Sequence, residues 1–230
     1  DDLIDGGADD DYIEGGSGED SIDGGSGNDE IEGFEGDDTI IGGSGDDTIN
    51  GNDGDDTIEG GDGADELAGN DGDDTILGNA GNDIIVGDGG DDTIIGGAGE
   101  DVVASGGGSD IYKFTALSDG GAVSTNSEKG SVSGDTMGDF DQGSDKFNFV
   151  SSAFGNLSTG SLPSANLSNL SSAAYDGTNS GKSSGAVFVF DNTSTLYFDP
   201  DTTSAGYTVV ATVQSSITTI NTSDIDIVAS

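Results

Sequence analysis

The sequence predicts an all-β protein in two parts: a coiled stack of short parallel strands over residues 1–113, then a β-rich cap over residues 114–230. Three observations carry that prediction. A nine-residue period runs unbroken through the first part. Each period holds one large apolar residue, flanked by polar neighbours, as a half-buried strand requires. After Lys113 the period stops, the composition shifts to Ser, Thr and aromatics, and apolar runs alternate with turn-forming residues.

The period is exact in register. Stepping by nine from Ile4 gives Ile13, Ile22, Ile31, Ile40, Ile49, Ile58, Leu67, Ile76, Ile85, Ile94, Val103 and Tyr112. Stepping by nine from Asp2 gives Asp11, Asp20, Asp29, Asp38, Asp47, Asp56, Asp65, Asp74, Asp83, Asp92, Asp101 and Asp110. The unit is G-G-x-G-x-D-x-U-x, where U is large and apolar, and its positions are numbered one to nine below. An acidic, aromatic-poor composition ordinarily means disorder. A disordered tail has no reason to hold phase over thirteen units, so the period argues for a fold.

Each element derives from its residues. Positions seven to nine, such as Thr48-Ile49-Asn50, predict a short strand whose central side chain points inward. The six preceding positions reverse the chain, and their glycines supply positive φ. Two units complete one coil of 18 residues, with a strand on each side and a thin core of facing isoleucines. Departures fall at tolerant places: Asn52, Asn70, Asn79 and Asp88 stand at position two, where Asn and Asp accept left-handed backbone. Asp9, Phe34 and Ser105 each replace a glycine.

Charge decides what such a stack needs. The chain has 47 acids, four lysines and no histidine, for a net charge of −43. Residues 1–112 hold 35 of those acids and no base. Nucleic acid and anionic membrane are therefore excluded as partners, and cations are favoured. Stacking coils brings position-six aspartates about one strand spacing apart, ~4.8 Å. Two carboxylates ~4 Å apart repel by about 4 kcal/mol at an effective dielectric of 20. One apolar side chain per nine residues cannot offset that, so the bare repeat is expected to be unfolded. A hard cation reverses the balance. Calcium accepts ~6–8 oxygens, mixing carboxylates and backbone carbonyls, whereas magnesium demands a strict octahedron.

The expected metal residues form two columns. Asp2, Asp20, Asp38, Asp56, Asp74, Asp92 and Asp110 make one; Asp11, Asp29, Asp47, Asp65, Asp83 and Asp101 make the other. An ion between successive members, touching both carboxylates, gives up to about eleven interior calcium ions. Position-five acids such as Asp46 are read as solvated charge, since their column also holds Asn28, Ala64, Asn82 and Ser109.

These repeats resemble the RTX (repeats-in-toxin, hemolysin-type calcium-binding) family. The resemblance implies a right-handed parallel β-roll, calcium as the cofactor, and the thirteen aspartates as ligands. The second half is similar, element by element, to the region C-terminal to the repeats in serralysin-type exoproteins. GDTMGDFDQGSDKFNF (134–149) resembles one such element, and STLYFDPD (194–201) another. The ending DIDIVAS resembles the uncleaved signal read by type I secretion. The family likeness implies a secreted, extracellular or cell-surface bacterial protein that meets the type I apparatus transiently.

In the second half, strands are expected at 146–150, 186–191, 195–199 and 207–213, with a hairpin turning at Asn192–Ser194 and Pro200 ending its second strand. Together they predict a β-sandwich-like cap for the last apolar rung. No apolar run approaches the ~18–20 residues of a membrane span. No disulfide is possible without cysteine. Gly181–Gly185 fits G-x-S-x-G, but without histidine no Ser-His-Asp triad can form. A phosphate loop fails at Asp176, and no His or Cys is present for zinc. The chain itself is thus expected to be non-catalytic. The alternatives are the C-terminal part of a secreted protease, lipase or epimerase with its catalytic domain upstream, or a cell-surface structural or adhesive protein.

Overall fold

A computed structural model describes residues 1–115 and, beyond them, nine short strand segments. The period becomes a ladder. Strands β1 (Leu3–Ala8), β3 (Ser21–Ser26), β5 (Thr39–Ser44), β7 (Thr57–Asp62), β9 (Thr75–Ala80), β11 (Thr93–Ala98) and β13 (Ile111–Phe114) pair in that order in one sheet. Strands β2 (Tyr12–Ser17), β4 (Glu30–Glu35), β6 (Thr48–Asp53), β8 (Glu66–Asp71), β10 (Ile84–Gly89) and β12 (Val102–Gly107) pair in a second. Every pair within these two series is parallel, and every register shift is 18 residues, as in Ile40↔Ile58. Two nonapeptides therefore make one coil, and the coils stack as a β-solenoid.

The core lies between the sheets. Position-eight side chains from Ile22 to Ile94 are 0–2 % exposed. Strand alternation sends positions seven and nine outward, and they are exposed or half-buried throughout.

The strands are longer than the apolar pattern suggests. Each full strand has six residues, running from position seven of one unit to position three of the next. Only positions four to six turn the chain. The ladder pairs Asn50↔Ala68, then Asn52↔Asn70, skipping the first-position glycines. Positive φ falls where the sequence pattern places it, at positions two and four: Asn52 (82°), Asn70 (80°), Asn79 (73°) and Asp88 (73°) do what Gly43 (112°) does, and Asp9 (88°) replaces a position-four glycine.

Strands of the second half join both sheets. In the first, β16 (Lys146–Val150) pairs parallel with β13, β22 (Ile225–Val228) with β16, and β17 (Gly160–Ser161) antiparallel with β22. In the second, β15 (Asp135–Met137) pairs with β12, and β21 (Tyr207–Val213) with β15. β20 (Thr195–Asp199) pairs antiparallel with β21 and with β19 (Val187–Phe190), giving the expected hairpin. β18 (Leu167–Asn169) extends that edge, and β14 (Val123–Ser124) pairs with β21. The residues expected to turn the hairpin, 192–194, lie outside the described residues. Phe147 and Ile225 are both 0 % exposed and continue the apolar row beyond Tyr112. Tyr112 and Phe147 pack with ring centroids 5.8 Å apart. No helix among the described residues is long and apolar enough to cross a membrane.

Candidate metal centre

The unit at Gly42–Asn50 shows how the turn builds a site. Asp47 enters from the last turn residue, and its side chain folds under the coil, 1 % exposed. Its two oxygens do different things. Oδ1 accepts the backbone N–H of Asp29, one coil earlier, at 2.8 Å. The Asp47 N–H in turn donates to Oδ1 of Asp65, one coil later, at 2.9 Å. Oδ2 is buried and takes no hydrogen bond.

Oδ2 faces Gly42, the first residue of the same unit. A Cβ placed on Gly42 would stand 2.5 Å from Asp47 Oδ2 and 2.7 Å from the carbonyl oxygen of Gly60, one coil on. The carboxylate and the carbonyl thus converge beside the glycine. Equivalent cradles lie at Gly24, with Asp29 Oδ2 at 2.5 Å and Gly42 O at 2.7 Å, and at Gly15, with Asp20 Oδ2 at 2.8 Å and Gly33 O at 2.9 Å. The pairing recurs at every first-position glycine from Gly6 to Gly87, ten in all among the described residues. The ten aspartates concerned, Asp11 to Asp92, all have a buried Oδ2 without a hydrogen bond.

First-position glycine is therefore needed for room, not for φ. Gly42 is absent from the left-handed region that Gly43 and Gly45 occupy. Its hydrogen atom leaves the space in which two oxygens meet.

Electrostatics mark these carboxyls as costly. Burial pushes Asp47, Asp56, Asp65, Asp83 and Asp92 up to about 6 and Asp74 up to about 7. The hydrogen bond from the preceding coil offsets part of the rise, and carboxylates of the neighbouring coils add to it. An unbonded, buried carboxylate oxygen beside a carbonyl repels it unless a cation or a proton intervenes. Among the described residues no three acidic side chains converge. A fitting cation must therefore draw most of its shell from backbone carbonyls. Calcium tolerates that donor set, which is all oxygen.

The structure brings the predicted columns together with one change. Asp20 and Asp29 through Asp110 are all buried, Asp11 is half-buried and Asp2 is exposed. Successive members are linked by a hydrogen bond. Oδ1 of the later one is committed to the N–H of the earlier one, so each cradle holds one carboxylate and one carbonyl from the next coil. Sequence reasoning expected turn carbonyls to complete the shell but did not single out which ones. The signal was present: position one stays glycine from Gly6 to Gly96, while positions two and four admit Phe34, Asn52 and Asp9.

Position five also differs from the solvated charge expected of it. Asp46 is exposed, but its Oδ1 accepts the N–H of Ala64 at 2.9 Å. Asn28 serves Asp46 in the same way at 3.1 Å, and Asp55 serves Asp73 at 2.9 Å. This outer ladder runs opposite in polarity to the inner one. It needs a side-chain oxygen at the reach of Asp or Asn, which explains why those two types interchange there.

The family of the RTX calcium-binding nonapeptide repeat matches four times, at residues 1–31, 32–67, 59–94 and 77–112. Among solved structures, the chain is similar to the extracellular lipase LipA from Serratia marcescens: 18 % identity, TM-score 0.42, over 96 % of this chain and 38 % of the lipase. It is also similar to a subunit of the Azotobacter vinelandii mannuronan C5-epimerase: 21 % identity, TM-score 0.31, over 84 % of this chain and 79 % of that one. The chain thus spans well under half the length of the lipase. No curated protein matches it. Over residues 1–112 this chain is built of RTX calcium-binding nonapeptide repeats.

Proposed function

We propose that this chain is the calcium-loaded, non-catalytic part of a secreted bacterial protein, unfolded without calcium and folded by it after type I export. The observation that supports this is the row of buried Oδ2 atoms from Asp11 to Asp92, none hydrogen-bonded, each beside a first-position glycine that a carbonyl of the next coil also approaches. Calcium supplies the positive charge that lets these oxygens approach one another. The chain's own residues do the rest. Each Oδ1 bonds the preceding coil, each first-position glycine leaves room, and each carbonyl reaches from the following coil.

The coupling to export rests on the energetics. A chain at −43 with only a thin core resists collapse where free calcium is scarce, so it can thread a channel. Extracellular-type sites bind at about 10⁻⁴–10⁻³ M, and such concentrations are met outside the cell. The ending DIDIVAS is proposed as the export signal; its residues Ile225–Val228 form β22, which pairs with β16.

Circular dichroism during a calcium titration tests the proposal. The β signal should develop cooperatively with calcium and collapse on chelation, with magnesium a poor substitute. A β signal that excess chelator leaves intact at neutral pH would sink it.

A further inference from the structure

Asn50-Gly51 is the single Asn-Gly pair in the 230 residues. It arises where two properties of the roll meet. Gly51 is a first-position glycine, and a Cβ there would fall against Asp56 Oδ2 and the Gly69 carbonyl oxygen, so the space is reserved for a hydrogen atom. Asn50 stands just before it at position nine, where the outward face accepts many types, among them Glu32, Ile41 and Ala68. Glycine after asparagine places no side chain in the way of its own backbone nitrogen, and its freedom lets an unpaired chain fold back on the asparagine.

That pair has a chemistry of its own. The Gly51 nitrogen attacks Asn50 Cγ, the Cγ–Nδ2 bond breaks, ammonia leaves with the amide proton, and a five-membered succinimide closes. Water then opens the ring at either carbonyl. One opening leaves aspartate; the other leaves isoaspartate, whose main chain runs through Cβ and Cγ. The net change is amide plus water to acid plus ammonia, with nothing oxidised or reduced. Asp5-Gly6 and Asp23-Gly24 share the position, but a carboxylate is a poorer electrophile than an amide.

The folded roll opposes each step. β6 is paired on both sides, with Asn50 opposite Glu32 in β4 and Ala68 in β8, so the backbone is held extended and cannot fold back. The leaving nitrogen is held as well: Asn50 Nδ2 donates to Glu32 Oε1 at 3.0 Å, while Asn52 Nδ2 holds Oε2 at 2.9 Å. Either product breaks this arrangement. Aspartate sets a carboxylate against Glu32 with no proton to give. Isoaspartate lengthens the main chain by one atom directly before a cradle glycine, in a ladder that pairs residues 18 apart.

We propose that Asn50 is a site of spontaneous deamidation, open in the calcium-free chain and closed by folding. A chain kept waiting without calcium therefore acquires a lesion in β6 that weakens its later folding. The inference rests on the calcium-driven folding proposed above.

The test incubates the full chain in mildly alkaline buffer with calcium or with chelator. Peptide mass spectrometry follows conversion of amide to acid at Asn50, and circular dichroism follows the fold. Chemistry that needs an opened strand runs in proportion to the open population, so conversion in calcium should be at least about tenfold slower than in chelator. A synthetic peptide of residues 48–54 should convert equally fast in both buffers; slowing there would assign the protection to the ion and overturn the proposal. If calcium leaves the circular dichroism unchanged, the calcium reading fails and this inference with it. If calcium folds the chain and Asn50 converts equally in both buffers, or not at all in chelator, only this inference fails. N50Q keeps an amide donor but closes its larger ring far more slowly, so it should resist conversion in chelator. N50D should need severalfold more calcium to fold than the parent; a parental midpoint would overturn the claim that the lesion weakens folding.

Discussion

Gly42 and Asn52 both stand where the motif writes glycine, yet they answer to different constraints. Asn52 needs only φ of 82°, which an Asn accepts. Gly42 needs the space that a methyl group would take from Asp47 Oδ2 and Gly60 O. G42A should therefore raise the calcium midpoint severalfold and cost about 1–3 kcal/mol as an overpacked site. N52G should leave the midpoint within twofold. Paired titrations by circular dichroism check this, and equal effects would refute the distinction. The carboxyls make a second residue-level prediction. Their folded values, about 6 to 7, lie above the ~3.9 of an unfolded aspartate. The folded, metal-free chain therefore binds more protons than the unfolded one between those values. Its stability is greatest below about pH 4 and is lost as pH rises through about 6 to 7. In chelator, the β signal should be stronger at pH 5 than at pH 8. In calcium, the midpoint should climb as pH falls below about 7, because binding must expel those protons.

At the scale of the element, β4 carries the one bulky residue that stands in the left-handed region among the described residues, Phe34 at φ 79° and 38 % exposed. Left-handed backbone costs a residue with a Cβ roughly 1–2 kcal/mol, and Phe has no polar group to bond locally. F34G should stabilise the calcium-loaded fold by about 1 kcal/mol in denaturant melts, and a loss of stability would show that the ring packs usefully. Elements also show where sequence reasoning reached its limit. The period located each of the first thirteen strands, because Ile49 and its equivalents mark the inward face directly. It underestimated strand length, because pairing at positions one to three is carried by backbone next to glycine and leaves no apolar trace. In the candidate site, Asp47 was legible in the sequence by its phase. Gly60 O was not, because a carbonyl belongs to every residue alike and only the curvature of the turn selects it. The same limit applies at position five: Asp46 and Asn28 look like charge and no charge, while the structure uses only the Oδ1 they share.

Across the described repeats the inner bonds, from the Asp2 N–H to the Asp92 N–H, all point one way. Each aspartate N–H donates to the carboxylate one coil nearer the C-terminus, and each Oδ2 meets a carbonyl from that same coil. A coil thus depends on its C-terminal neighbour for both. Replacing one aspartate should act asymmetrically. In D92A with calcium, hydrogen exchange should accelerate at the amide of Asp74, which donates to Asp92, and stay slow at Asp110, which does not. Symmetric loss of protection on both sides would contradict the polarity.

That polarity gives the aspartate columns two chemically unlike ends. Toward the N-terminus they offer carboxylate and carbonyl oxygens; toward the C-terminus they offer aspartate N–H groups. Two such rolls brought end to end could match only head to tail, never head to head. Head-to-tail contacts do not close on themselves, so a roll with both ends bare would be a monomer for open-ended fibres. In this chain the C-terminal end is occupied by β16, whose Lys146 N–H donates to Asp110 O, and by β15 alongside β12. Strands of the second half thereby occupy the C-terminal edge of both repeat sheets, the edge that a head-to-tail contact would have to use.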